Sequence, residues 1–257
     1  MYERTINLQE YGNHEHTPAL LEAGIGCLRR SDPDIERFLG DRTGTLVALL
    51  ERYIHEIERF NPVYHLVKVR NRQELVVKHI LDSLGPLGII LRFTESLRDG
   101  RVPALPWRFA DVGSGAGLPG IPLAISLRDS EQYGFTLIER MGRRAGFLRN
   151  TQAILGLPHV TIEEGEMEKS PSGRFHLIMF RAFRPLEPML LTSLFRLLVP
   201  GGALFAYKGR QEAITVEMHR VEASIGSWER IPLRIPFLEE ERHLVVLRPP
   251  LQETKSW

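Results

Sequence analysis

Residues 111–120 read DVGSGAGLPG, and this stretch decides the fold class. Its glycines, Gly113, Gly115, Gly117 and Gly120, follow a short apolar run at 107–113 (WRFADVG). A glycine cluster there lets the backbone turn tightly after a first strand and come close to a ligand. Pro119 suits the first turn of a helix, predicted over 119–128. The start of that helix presents free N–H groups and the positive end of its dipole.

Outward from the loop, strands and helices alternate. Strands are predicted at 134–139 (GFTLIE), 159–164 (HVTIEE), 175–180 (FHLIMF) and 203–207. Helices are predicted at 142–155 and 188–198, the latter stopped by Pro200-Gly201-Gly202. Segments 231–235 and 243–247 (HLVVL) complete an antiparallel pair. Repeated β-α-β units specify an α/β protein with a doubly wound, Rossmann-like sheet and an antiparallel last strand. Upstream, Leu46, Leu49, Leu50, Tyr53, Ile54, Ile57 and Phe60 form one apolar helical stripe, which Asn61-Pro62 ends. Leu75, Val76, Ile80, Leu84 and Leu87 mark a second N-terminal helix. Residues 92–106 read as a polar loop, and 1–42, broken by Gly12, Pro18, Gly24, Gly26, Pro33 and Gly40, as a loosely packed extension with one short helix, a docking arm being the alternative. The expected organisation is an extension at 1–42, a helical lead-in and loop at 43–106, a ligand-binding core at 107–250 and a tail at 251–257.

Composition narrows the function. The 257 residues are 43% hydrophobic and 25% charged, which excludes low complexity and global disorder. Cys27 is the single cysteine, so neither a disulfide framework nor a cysteine zinc site is available within one chain. The nine histidines form no HxxxH or HExxH pattern, and no metal is expected. The start, MYERTINLQE, lacks an apolar signal-peptide core, and the apolar runs are too short to span a bilayer. A cytoplasmic monomer without membrane contact is expected. The net charge of +1 gives no bulk case for nucleic acid, but 28 of the 33 basic residues are Arg, whose planar fork suits phosphate.

Two cofactors fit the loop. Gly115, Gly117 and Gly120 satisfy GxGxxG, and Glu139, about 20 residues on, could take a ribose, as in nicotinamide-dependent oxidoreductases. Asp111, Gly113, Gly115 and Gly117 equally satisfy the acid-x-Gly-x-Gly-x-Gly loop of S-adenosylmethionine enzymes. Asp111 in the strand, the lack of a second domain and the terminal HLVVL strand favour the second reading. A non-catalytic binding module is a further alternative.

The sequence resembles a known family across about 45–248. DVGSGAGLPGIPLA, HILDS (79–83), RRAGFL (143–148), RAF (181–183), KG (208–209) and ERHLVV (241–246) resemble motifs of the bacterial 16S ribosomal RNA guanine-N7 methyltransferases, the glucose-inhibited division protein B family. The resemblance implies a class I methyltransferase fold, with S-adenosyl-L-methionine contacts at Gly113, Leu118, Met167, Glu168 and Arg181 and with Glu139 at the ribose, while the reading of the loop adds Asp111, Ser114, Gly115 and Gly117 as cofactor-binding candidates. It implies 16S ribosomal RNA or the small ribosomal subunit as substrate, methylated in the 530 loop. Asn61, His79, Arg143, Arg144, Lys208 and Arg242 are candidates for the RNA side. His65 and Val67 stand where the family often has Asn and Thr, and Glu166 where it usually has Arg. A methyltransferase of another substrate on the same scaffold is the alternative these departures motivate.

Guanine N7 is a lone-pair nucleophile with no proton to lose, so no catalytic acid or base is nominated. Alignment is expected to do the work. RNA grip is expected from Arg140, Arg143, Arg144 and Arg149, and from Lys68, Arg70, Arg72, Lys78 and His79.

Overall fold

A computed structural model describes residues 17–98 and 106–250. The chain opens with helices. α1 (Thr17–Ser31) buries Leu20, Leu21, Gly24, Ile25 and Leu28 along one stripe. α2 (Pro33–Leu39) starts at Asp32, whose side chain accepts the Asp34 N–H, with Pro33 in the first turn. From Thr17 onward the expected loose extension is therefore ordered helix. Its glycines serve packing: a Cβ on Gly24 would lie 2.5 Å from Leu81 Cδ1, so glycine permits this close approach. Residues 1–16 lie outside the described residues, as does the expected tail at 251–257.

α3 (Thr43–Tyr64) runs past the expected stop at Asn61-Pro62. A proline this close to the end removes one hydrogen bond without breaking the helix. His65 then closes it, in the left-handed region (φ 48°), by donating its N–H to Asn61 O. Asn71 caps α4 (Arg72–Leu75), which widens into a π turn at Val76–Leu81 and continues as α5 (Asp82–Leu84). α6 (Leu87–Arg98) occupies much of the expected polar loop, because Leu91, Phe93 and Thr94 are buried. The remainder of that loop, 99–105, lies outside the described residues.

The sheet follows in chain order: β1 (Trp107–Val112), α7 (Gly120–Ser126), β2 (Tyr133–Glu139), α8 (Gly142–Leu155), β3 (Val160–Glu164), β4 (Phe175–Arg181), α9 (Pro188–Arg196), β5 (Leu198–Lys208), α10 (Gln211–Val221), β6 (Ser227–Leu233) and β7 (Arg242–Arg248). Strand order is β3-β2-β1-β4-β5-β7-β6. The first five strands are parallel; β7 is antiparallel to both β5 and β6. Pro200-Gly201-Gly202 does not stop a helix, as expected from sequence, but lies within β5. There the register with β4 jumps from Phe175↔Leu198 to Leu177↔Ala203. α10 was not anticipated.

Alternate strand residues feed two cores. Phe109, Leu137, Leu177, Phe205 and Leu244 pack with α1–α8. Ala110, Ile138, Ile178, Leu204 and Val245 pack with α9 and α10. The N-terminal helices thus share one core with a whole face of the sheet. The order reverses at β1, which lies between β2 and β4. Ligands of open α/β sheets bind beyond the strand ends at such a point.

Candidate functional site

The turn after β1 passes through Gly113, Gly115 and Gly117 at φ 70°, 57° and 90°, conformations that side chains rarely adopt. A Cβ on Gly113 would strike the Phe183 ring at 2.3 Å. A Cβ on Gly115 would meet only Gly113 O, at 3.9 Å, so the turn faces open space there. The loop is held from three sides. Gly113 N–H donates to Ile138 O at 2.9 Å. Gly115 N–H and Met141 N–H each donate to an oxygen of Glu139 at 2.9 Å. The buried Tyr53 hydroxyl, on α3, donates to Ala116 O at 2.7 Å.

Asp111 is wholly buried and lines neither cavity described below. Its Oδ2 accepts the Gly120 N–H at 2.9 Å, fixing the start of α7. Burial pushes its carboxyl up to about 6.

Two adjoining cavities open at the loop. The first, about 490 Å³, is walled by Ile138, Glu139, Met141, Gly165 and Met167, among others. The second, about 870 Å³, is walled by Ser114, Gly115, Leu118, His79, Arg181 and Lys208, among others. Gly113, Arg144, Ala182, Phe183 and Arg184 belong to both. The first falls within the range of small-ligand pockets, with an acid at the end of β2 and apolar walls at Ile138 and Met167. Arg144 Nε, at the junction, is buried and has no hydrogen-bond partner among the described residues. An acceptor on a bound ligand would satisfy it.

The second cavity carries a charge network. Arg181 Nη1 donates to Asp82 Oδ2 at 3.0 Å and to Lys78 O at 3.1 Å, and its Nη2 lies 2.8 Å from His79 Nδ1. Arg242 Nε sits 3.2 Å from Asp82 Oδ1. Burial raises the Asp82 carboxyl, opposed by the two guanidinium groups. Burial, and then the Arg181 charge, push His79 down to about 4. Lys208 Nζ pairs with Glu217 at 2.7 Å. At the first cavity burial would raise Glu168, but the Arg184 guanidinium hydrogen-bonded to it holds it below the ordinary value.

The structure therefore brings most of the sequence-derived residues together. Gly113, Glu139, Met167 and Glu168 line the first cavity. Gly113, Ser114, Gly115, Leu118, Arg181, His79, Lys208 and Arg242 line the second, and Arg144 joins both. Gly117, like Asp111, stands behind the loop: a Cβ there would lie 2.5 Å from Ile121 Cγ1. Asn61 lines neither cavity; its Oδ1 accepts the Val67 N–H at 2.9 Å, a fold-closing role. Arg143 is exposed outside both. The basic stretches are less free than their spacing implied. Arg149 pairs with Glu164, Arg72 with Glu51 and Glu58, and Lys78 with Glu74 and Glu240. Met141, Phe183 and Glu217 join the walls without having been singled out as site residues. The position of Met141, two residues past Glu139, was the available signal for it.

Among the described residues no helix is long and apolar enough to cross a membrane, and no group of His, Cys, Asp or Glu is arranged to hold a metal. The CurJ carbon methyltransferase has the same general fold, with a TM-score of 0.53 at 13% identity over 88% of this chain and 70% of that one. Proteins named ribosomal RNA small subunit methyltransferase G are similar in sequence. That of Treponema pallidum (strain Nichols) is 39% identical, covering 80% of this chain and 86% of that protein. That of Cellvibrio japonicus is 36% identical, covering 77% and 84%. The GidB family model, described as rRNA small subunit methyltransferase G, matches residues 46–245. With the glycine turn, the acid at the end of β2 and the double cavity all inside that span, the chain belongs to the rRNA small subunit methyltransferase G family.

Proposed function

We propose that this chain is an S-adenosylmethionine-dependent methyltransferase acting on N7 of a guanine in 16S ribosomal RNA, in the 530 loop. The observation that carries the reading is the glycine turn between the two cavities, tied through the Gly115 amide to Glu139. When bound, the cofactor supplies an electrophilic methyl group on a sulfonium. Glu139 spends one lone pair of each oxygen on a loop amide and keeps acceptor capacity for ribose hydroxyls. Ile138, Met141 and Met167 offer apolar surface to an adenine. The backbone at Gly113 and Gly115 leaves room for the amino-acid arm.

The second cavity is the substrate compartment in this reading. Its rim carries Lys68, Arg184 and Arg242, suited to phosphate. No group need remove a proton, because N7 carries none. Holding N7 in line with the methyl carbon and sulfur is worth as much as about 7–11 kcal/mol in favourable systems.

Transfer of labelled methyl to small subunits from cells lacking this gene, followed by nucleoside analysis, tests the proposal. Label in 7-methylguanosine is the expected result. Label in another nucleoside, or none while S-adenosylhomocysteine binds, would refute the substrate. Preference for NAD over S-adenosylhomocysteine would refute the cofactor.

A further inference from the structure

We infer that the Nε2–H of His79 is the donor that grips O6 of the target guanine and so selects guanine over adenine; this rests on the guanine-N7 reading above. Arg181 Nη2 lies 2.8 Å from His79 Nδ1. A guanidinium has donors and no acceptor, so Nδ1 must accept, and the single ring proton sits on Nε2. Nε2 has no hydrogen-bond partner among the described residues, yet it is not among the buried polar atoms left without one. It therefore reaches accessible space, and His79 is among the residues that wall the 870 Å³ cavity. The π turn at Val76–Leu81 and the Arg181 contact together fix a neutral donor of one tautomer at the substrate compartment.

The purine edge explains what such a donor does. Beside N7, guanine presents the O6 acceptor, whereas adenine presents an N6 amino donor. An N–H facing position 6 satisfies guanine and opposes adenine donor to donor. In the reaction the N7 lone pair forms the bond to the methyl carbon. The carbon–sulfur bond breaks, its electron pair stays on sulfur, and the purine becomes a cation. No proton leaves. A cation against that edge would resist the developing positive charge, and a neutral N–H resists it far less. Among the cations of this wall, Arg181 and Arg242 face Asp82, Lys208 pairs with Glu217, Lys78 with Glu74 and Glu240, and Arg184 with Glu168, while Lys68 and Arg144 line it as further positive groups.

The test places either guanine or 2-aminopurine, which keeps N7 and lacks O6, at the nucleotide that the wild-type protein methylates, by ligation into small-subunit RNA. kcat/KM is then measured for the wild type, His79→Ala and His79→Gln. The expected result is a loss of about tenfold or more for His79→Ala on guanine RNA, with no further loss on 2-aminopurine RNA. His79→Gln, which keeps a side-chain N–H, should recover part of that loss. An equal loss on both RNAs would overturn the inference while leaving the guanine-N7 reading intact. Undiminished wild-type kcat/KM on 2-aminopurine RNA would overturn it whether or not His79→Ala folds. Failure of the wild type to form 7-methylguanosine would overturn both.

Discussion

The hydroxyl of Tyr53, in the middle of α3, lies 2.7 Å from the carbonyl oxygen of Ala116, 63 residues later and inside the glycine turn. Both residues are buried, so no water replaces the bond if it is lost. Tyr53→Phe should cost about 1–3 kcal/mol of stability, the usual penalty for stranding a buried acceptor. It should also weaken S-adenosylhomocysteine binding, because the turn loses its support. Urea denaturation and calorimetry read the two effects. Unchanged binding would mean that the strand ends alone hold the turn.

Gly113 and Gly115 should fail differently. At Gly113 a methyl group collides with the Phe183 ring, so Gly113→Ala should destabilise the fold as well as abolish cofactor binding. At Gly115 the added atoms enter open space, so Gly115→Leu should abolish binding with a smaller stability loss, set by the left-handed backbone. Melting temperature beside S-adenosylhomocysteine affinity separates the two. Normal binding by Gly115→Leu would remove the loop from the cofactor site.

Arg143 and Arg144 are neighbours with unequal surroundings. Arg143 is exposed, and Arg144 walls both cavities with a buried, unpartnered Nε. Arg143→Glu should weaken RNA binding, more at low salt than high, and leave S-adenosylhomocysteine affinity unchanged. Arg144→Glu should weaken both. Filter binding across a salt series, with calorimetry for the cofactor product, distinguishes them. Equal behaviour of the two variants would contradict this division.

His79 should give stability a measurable pH dependence. Its ring is pushed down to about 4, below the ordinary 6.5, so the unfolded chain takes up a proton first as pH falls. Its contribution is fully present above about 6.5 and is lost down to about 4, at no more than about 1.4 kcal/mol per pH unit. Asp111, pushed up to about 6, acts in the opposite sense between about 6 and 3.8. In His79→Gln the acid loss should shrink, and the Asp111 gain should stand out. Urea midpoints at half-unit pH steps would show it. Parallel curves for the two proteins would reject the assignment.

The central sheet was legible because β1, β2, β4 and β7 are apolar runs, whereas β6, polar and largely exposed, lies at Ser227–Leu233 and not at the expected 231–235; the predicted span of α8, 142–155, matches Gly142–Leu155. The glycine turn was legible because three positive φ values leave few alternatives to glycine. Three of the misreadings share one cause, which is that glycine and proline were read as punctuation. At Gly24 the missing side chain admits Leu81, at Pro62 the ring falls where one lost bond is tolerated, and at Pro200-Gly201-Gly202 the register shifts inside a strand. Each depends on a partner distant in the chain. The site was half legible for the same reason. Glu139 follows the glycines at a recognisable distance, but nothing local reports that Asp82 lies between Arg181 and Arg242, or that Asn61 closes a helix end.

The stretch matched by the family model and the stretch that supports the substrate wall have different borders in this chain. The family model matches from residue 46, yet the segment bearing His79 and Asp82 rests on α1, where Gly24 meets Leu81. Grafting residues 46–245 onto another protein's leading helix would carry over the glycine turn and both cavity walls. It would also leave Leu81 without its neighbour and the substrate wall without backing. The stretch that the family model matches is smaller than the part that must travel together to hold the substrate wall.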